Sequence, residues 1–127
     1  MSSLVGGTGI IGQDMVCGFG KKGYRLTSND FEKGGLGSGG VPNSDFAKSR
    51  TKNFYKIKEG TTYEFICNEN RTVGPRFYDK DYNFVNYTWG NGNGYLKCII
   101  PKNVCYFRLQ LTNSPTTTLE VTIREVS

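Results

Sequence analysis

The sequence predicts an all-β domain, built either as an antiparallel sandwich of two sheets or as a barrel. From residue 53 onward, seven short segments rich in aromatic and β-branched residues alternate between apolar and polar side chains. Residues typical of turns, namely Gly, Pro, Asn and Asp, separate these segments. No stretch of useful length has the period of an amphipathic helix. Because each strand has one apolar face to bury, two sheets must pack together or one sheet must close.

Residues 1–23 are predicted to form a glycine-rich anchoring arm, followed by a β-sandwich domain over residues 24–127. Of the 17 glycines, 12 lie in residues 1–50. Glycine loses more backbone entropy on ordering than any other residue, so this part of the chain should not form regular structure alone. We therefore expect neighbouring subunits to hold the arm, and we expect the protein to be an oligomer.

Residues 4–12, LVGGTGIIG, resemble the glycine-rich turn of dinucleotide-binding dehydrogenases. That turn must follow a strand and open a helix within a βαβ unit. The segment that follows here, QDMVCGFGKKGYR, is too rich in glycine for such a helix. The sequence therefore favours an arm in which Val5, Ile10 and Ile11 act as small apolar anchors, and it predicts no cofactor.

The seven predicted strands are residues 54–58, 62–67, 75–79, 84–89, 95–100, 105–111 and 119–126. Alternation is clearest in the last two strands. It places these side chains inward: Cys105, Phe107, Leu109, Leu111, Leu119, Val121 and Ile123. It places Tyr106, Arg108 and Gln110 outward. Tight turns are expected around Gly60, at residues 79–83 and 91–94, and after Pro101 and Asn113.

Composition argues against several functional classes. The net charge of +5 is spread along the chain, with Lys21 and Lys22 as the only adjacent basic pair, so nucleic acid is not predicted as a partner. Histidine is absent, which removes the commonest general base and the commonest zinc ligand. No apolar run reaches membrane-spanning length, so no membrane insertion is predicted.

The four cysteines, Cys17, Cys67, Cys98 and Cys105, form no CxxC motif, and the N-terminus lacks the features of a signal peptide. We expect buried, reduced thiols without metal, and a disulfide is the alternative.

Three segments of residues 50–127 resemble β-sandwich modules of bacteriophage tail, fibre, baseplate and capsid-decorating proteins. They are FYKIKEGTTYEF, RFYDKDYNFVNY and CIIPKNVCYFRLQL. The same pattern is similar to carbohydrate-binding modules of bacterial secreted enzymes. The resemblance implies a jelly-roll-like antiparallel sandwich, with a lead-in strand within residues 24–36.

The resemblance implies a non-enzymatic virion structural protein, such as a capsid decoration, head fibre or tail appendage, assembled in the host cytoplasm. Its partners would be other virion proteins held through the arm, with a host surface glycan as a ligand. A glycan-binding module of a secreted bacterial protein is the alternative. A small β-barrel that binds nucleic acid is a third, less favoured hypothesis.

The aromatic stretch of residues 76–95 is the candidate ligand site. The resembled hairpin places Phe77 and Phe84 inward, so alternation places Tyr87 and Trp89 outward. The predicted ligand-binding residues are Tyr87, Trp89, Asn91, Asn93 and Tyr95. Rings beside amide side chains suit a sugar, whereas the alternative is that Trp89 caps the sandwich or lies in a subunit contact.

Catalysis has little support in the sequence. A glycosidase needs two carboxylates at a set separation, which the pairs Asp79 with Asp81 or Glu64 with Glu69 would have to supply. Both pairs lie in or beside predicted turns, where such side chains usually contact water. The sequence therefore predicts no catalytic residues, and not an enzyme.

Overall fold

A computed structural model describes residues 23–126, which form ten β-strands and one short 3-10 turn, Ser28–Asp30. The strands are β1 (Gly23–Thr27), β2 (Phe31–Lys33), β3 (Lys48–Thr51), β4 (Tyr55–Lys56), β5 (Thr62–Cys67), β6 (Val73–Tyr78), β7 (Phe84–Tyr87), β8 (Tyr95–Ile99), β9 (Tyr106–Thr112) and β10 (Glu120–Val126). None of these residues belongs to a helix that is long and apolar enough to cross a membrane. The predicted arm, residues 1–23, lies outside the described residues except for Gly23, which begins β1.

The strands form two antiparallel sheets that pack face to face. The four-stranded sheet has the order β1-β10-β5-β8. The six-stranded sheet has the order β2-β3-β9-β6-β7, and the short β4 also pairs with β9. Side chains of both sheets share one core, where the ring centroids of Phe65 from β5 and Phe107 from β9 lie 5.5 Å apart. The prediction of an all-β antiparallel sandwich is confirmed.

Most of the predicted alternation is present in the last two strands, β9 and β10, and at Leu119, which directly precedes β10. The buried inward side chains are Phe107, Leu109, Leu111, Leu119, Val121 and Ile123. Cys105 is only half-buried, because it lies before β9, where its backbone N–H donates to the Tyr78 carbonyl at the end of β6. Arg108 was expected to face outward into solvent, yet it is 7% exposed. Its guanidinium carbon lies 5.3 Å from the centroid of the Phe54 ring, which covers it.

Strands β1, β2 and β3 are not predicted by sequence periodicity, because each is short and lies in the part of the chain richest in glycine and polar residues. Their pairings are distant in sequence: β1 pairs with β10, and β2 pairs with β3, which pairs with β9. The segment of residues 24–36, for which the resemblance implies one lead-in strand, contains two strands, β2 and all of β1 except Gly23. Leu26 and Phe31 from these strands are buried in the core.

The predicted turns have the backbone that such turns require. Gly60 has a φ of +77°, in the left-handed region that glycine adopts without strain. Asn103 and Asn113, in two other predicted turns, both have a φ of +70°, which asparagine tolerates better than most residues. These turns set the lengths of the strands that they join.

Residues 34–47 cross the outer face of the six-stranded sheet, and we call this segment the strap. Leu36 is fully buried although it is not part of the core between the sheets. Its backbone N–H donates to the side-chain oxygen of Gln110 in β9 at 2.7 Å. The Tyr78 hydroxyl of β6 donates to the Gly40 carbonyl at 2.7 Å. The strap therefore covers part of β9 and β6 and leaves the neighbouring outer surface open.

Candidate functional site

A continuous series of aromatic rings lies on the outer face of the six-stranded sheet, and we call it the aromatic row. Its members, in order of contact, are Trp89, Tyr87, Phe84, Tyr78, Phe54, Tyr82 and Tyr106. Consecutive ring centroids lie between 4.4 and 6.3 Å apart. Trp89 is 57% exposed, Tyr82 46% and Phe84 37%. Tyr78, which lies between Phe84 and Phe54 in the row, is only 3% exposed, so the exposed rings form two groups, one toward each end of the row. Exposed large rings are typical of contact surfaces.

A β-bulge decides which rings enter the row. The register of the β6–β7 pair shifts between Phe77 and Tyr78, and Tyr78 pairs with Phe84. Phe77 is buried as predicted, but the prediction that Phe84 faces the core is wrong, because Val85 packs against the core instead. A bulge breaks strict alternation. The rings of Phe84 and Tyr87 therefore lie on one face, 6.3 Å apart.

Tyr87 and Trp89, both predicted as ligand residues, lie together at one end of the row. Their ring centroids are 5.2 Å apart, with the planes at 57°. The guanidinium carbon of Arg76 lies 5.2 Å from the centroid of Tyr87, and the Arg76 Nε donates to the Gly37 carbonyl of the strap at 2.8 Å. Burial lowers the pKa of Arg76, although an arginine remains charged at neutral pH. This cation–π contact holds Tyr87 in place and leaves Trp89 open to solvent.

Tyr82 and Tyr106 form the other end of the row. Their rings stack with centroids 4.4 Å apart and planes at 18°. Tyr82 has a φ of +66°, and its backbone N–H donates to the Asp79 carbonyl at 3.0 Å within the turn between β6 and β7. The hydrogen bond with Tyr82, and then burial, raise the pKa of Tyr106 to about 12. The Tyr106 ring is therefore neutral at physiological pH.

The strap fits against the middle of the row through a glycine. Gly40 has a φ of +74°. A Cβ at this position would lie 2.7 Å from the Tyr78 hydroxyl oxygen and 2.8 Å from Cδ1 of Phe84. Both the backbone conformation and the space therefore require glycine. Sequence reasoning did not assign this contact, because it joins residues that are far apart in the chain.

The remaining predicted ligand residues, Asn91, Asn93 and Tyr95, lie along the connection from β7 to β8. Asn91 and Asn93 are exposed, and the Asn93 side-chain oxygen accepts the backbone N–H of Tyr95 at 3.2 Å. Tyr95 begins β8, and its hydroxyl donates to Glu64 of β5 at 2.5 Å. Tyr95 thus lies on the outer face of the four-stranded sheet. The structure divides the predicted set between two outer faces of the sandwich.

The carboxylates considered for catalysis make structural hydrogen bonds. Glu69 accepts from Thr116 at 2.6 Å and from Arg71 at 2.7 Å, and these bonds hold its pKa below the usual value. Asp79 accepts the backbone N–H of Asp81 at 2.9 Å inside the turn. Within residues 23–126, no group of three or more His, Cys, Asp or Glu side chains is arranged to hold a metal ion.

The cysteines that the structure describes, Cys67, Cys98 and Cys105, are free thiols. Burial raises the pKa of Cys98 to about 11 and raises that of Cys67 as well. These two thiols are therefore protonated at neutral pH, which makes them poor nucleophiles. Cys17 lies outside the described residues.

Comparison with known proteins assigns this chain to no family. No known protein family matches the sequence, and no curated protein matches it either. One similar solved structure is the Glycosylation Associate Protein (Gap123) complex from Streptococcus agalactiae, with a TM-score of 0.44 and 19% identity. The similarity covers 56% of this chain and 26% of that one, so this chain spans about a quarter of the length of the protein it matches. A likeness this low says nothing about function.

Proposed function

We propose that this chain is a non-enzymatic structural protein of a virus particle, and that its aromatic row contacts glycans on the host surface. The observation that supports glycan binding is the row itself, in which Trp89, Phe84 and Tyr82 are the most exposed rings. Aromatic rings on the outer face of a rigid sheet contribute little to the core, and they are common where proteins bind partners.

The chemistry of the row suits a saccharide. The C–H faces of a sugar stack on aromatic rings, and its hydroxyl groups exchange hydrogen bonds with amides. The exposed amide of Asn83 lies on the same hairpin as the row, and the exposed Asn91 follows it in the chain. The Tyr87 ring is held against Arg76, so its position is fixed before a ligand binds.

The virion setting rests on the resemblance of residues 50–127 to phage modules and on the glycine-rich composition of residues 1–23. In this proposal the arm joins the subunit to other virion proteins, and the row faces away from the particle. A glycan-binding module of a secreted bacterial protein is the alternative, and it would use the same row. Electron microscopy of particles from a host that carries the gene would distinguish the two settings.

The test of glycan binding uses the fact that Trp89 is the single tryptophan of the chain. Glycan-array screening identifies a ligand, and titration with it should change the Trp89 fluorescence of the wild-type protein. Trp89→Ala should weaken binding by about 1 to 3 kcal/mol in calorimetric titration, as loss of an interface anchor does. Ile99→Ala is the matched control, because Ile99 is 67% exposed on the other sheet.

Two results would contradict the proposal. If Trp89→Ala and Ile99→Ala bind the glycan equally well, the row is not the site. If no glycan binds and Trp89→Ala instead lowers the assembly state measured by sedimentation, the row is a contact between subunits.

A further inference from the structure

A cleft of about 580 Å³ opens at the end of the aromatic row that Tyr106 forms. Its lining residues are Lys56, Ile57, Lys58, Glu59, Tyr63, Val104, Cys105 and Tyr106. This volume lies within the range of small-molecule sites. Tyr106 belongs to both the row and the cleft, so the two surfaces are continuous.

The floor of the cleft is apolar and rigid. Ile57 is 6% exposed, Tyr63 3% and Val104 2%, and all three belong to the core between the sheets. The ring of Tyr106, which stacks on Tyr82, supplies an aromatic surface at the side. A sugar ring that leaves the row at Tyr106 would therefore meet a flat, preformed surface.

The rim of the cleft is cationic. Lys56 and Lys58 are exposed on either side of the buried Ile57. No carboxylate oxygen of residues 23–126 lies within 4.0 Å of either lysine ammonium group. Glu59 also lines the cleft, where its carboxylate accepts the backbone N–H of Asn103 at 2.6 Å. A neutral donor does not cancel the carboxylate charge, so the two lysines and Glu59 together leave the rim with a net positive charge. The rim thus offers two unpaired positive charges beside an apolar floor.

We propose that the cleft binds the acidic group of an acidic saccharide, through Lys56 and Lys58, while neutral sugar rings of the same chain contact the exposed rings of the aromatic row. This inference rests on the proposed glycan-binding function and adds the class of glycan. Lysine ammonium groups bind sugar carboxylates and sulfates by charge-assisted hydrogen bonds. The row alone provides uncharged contacts, so it does not distinguish acidic from neutral sugars.

The test is an array that contains each acidic glycan together with its uncharged analogue, for example an oligogalacturonate and its methyl ester. The best ligands should be acidic, and each should bind about tenfold more tightly than its uncharged analogue. The preference should disappear near 1 M salt, where the screening length is about 3 Å. Binding of the uncharged analogue should not respond to salt.

The variant Lys56→Ala/Lys58→Ala should lose the preference and bind both members of a pair equally. Lys33→Ala/Lys97→Ala removes the same charge from exposed positions on β2 and β8 and should retain the preference. Trp89→Ala should weaken the binding of both the acidic glycan and its uncharged analogue. All four lysines are exposed, so neither double variant disturbs the core.

The outcomes separate this inference from the function on which it rests. Neutral glycans that bind as tightly as acidic ones, or equal losses in the two lysine variants, would refute the acidic saccharide and leave the aromatic row as a glycan site. If no glycan of either kind binds, both proposals fall.

Discussion

Replacing Arg71 with methionine should destabilise the protein far more than replacing Arg124 with methionine. Both arginines pair with a glutamate at similar distance, Arg71 with Glu69 at 2.7 Å and Arg124 with Glu64 at 2.8 Å. Their environments differ, because the Arg71 side chain is 2% exposed and the Arg124 side chain is 61% exposed. The difference in burial should therefore decide how much free energy of unfolding each substitution removes.

The expected magnitude follows from the contacts of Arg71. Its guanidinium donates to the carbonyls of Thr112, Asn113 and Ser114 at 2.7, 2.8 and 3.0 Å, at the end of β9 and in the turn that follows. Methionine is apolar and removes the Arg71 donor from all of these acceptors. Glu69 still accepts from Thr116, and the Asn113 carbonyl still accepts from Ser49. A buried acceptor left without its donor costs about 1 to 3 kcal/mol, so losing the bonds to the Thr112 and Ser114 carbonyls together with the ion pair should cost about 3 to 5 kcal/mol. An exposed pair such as Arg124 with Glu64 contributes about 0 to 1 kcal/mol.

The assay is urea unfolding, followed by circular dichroism and by the fluorescence of Trp89. The free energy of unfolding should fall by about 3 to 5 kcal/mol in Arg71→Met, and by less than about 1 kcal/mol in Arg124→Met. The slope of the free energy against urea should stay constant in both. A difference between the variants below about 1 kcal/mol would show that water replaces the bonds of Arg71, and it would refute the argument from burial.

Two further predictions concern the outer faces. Tyr95→Phe removes the hydrogen bond that contributes most to the lowered pKa of Glu64, so NMR titration should show this pKa rising towards its ordinary value of 4.5. A lowered pKa adds stability that is lost as pH falls below 4.5, so the variant should be less acid-sensitive in that range, and an unchanged pKa would contradict this. Leu36→Ala should cost about 2 to 5 kcal/mol and speed hydrogen exchange in the strap, because Leu36 is fully buried there. Exchange that stays slow in the strap would show that Leu36 does not hold it.

The fold was predictable where apolar residues alternate strongly. The predicted strand of residues 62–67 has the same bounds as β5, and the inward faces of β9 and β10 follow from alternation alone. Strands β1 to β3 could not be found this way. Each has five residues or fewer, and each is stabilised by a partner far away in the sequence. Local pattern carries no information about such pairings.

The candidate site was only partly predictable. Tyr87 and Trp89 follow from the aromatic content of one strand, and the structure places them side by side. Phe54, which directly precedes β4, and Tyr106 of β9 enter the row from elsewhere in the chain, and the pairing of β4 with β9 brings them together. Tyr95 was assigned to the same surface because it is close in sequence, but β8 belongs to the other sheet.

The row depends on two departures from regular β structure, and both lie in one hairpin. The bulge turns Phe84 outward, and the left-handed backbone of Tyr82 brings its ring onto Tyr106. Neither feature supports the core, because Phe77 and Val85 supply the inward contacts of the same hairpin. Removing the bulge would restore regular alternation and take the Phe84 ring away from Tyr87 and Tyr78. The row would then be interrupted between these two tyrosines, while the core of the sandwich stayed intact. If the row binds as proposed, binding and stability are separable in this hairpin, as expected of a contact surface carried on a rigid scaffold.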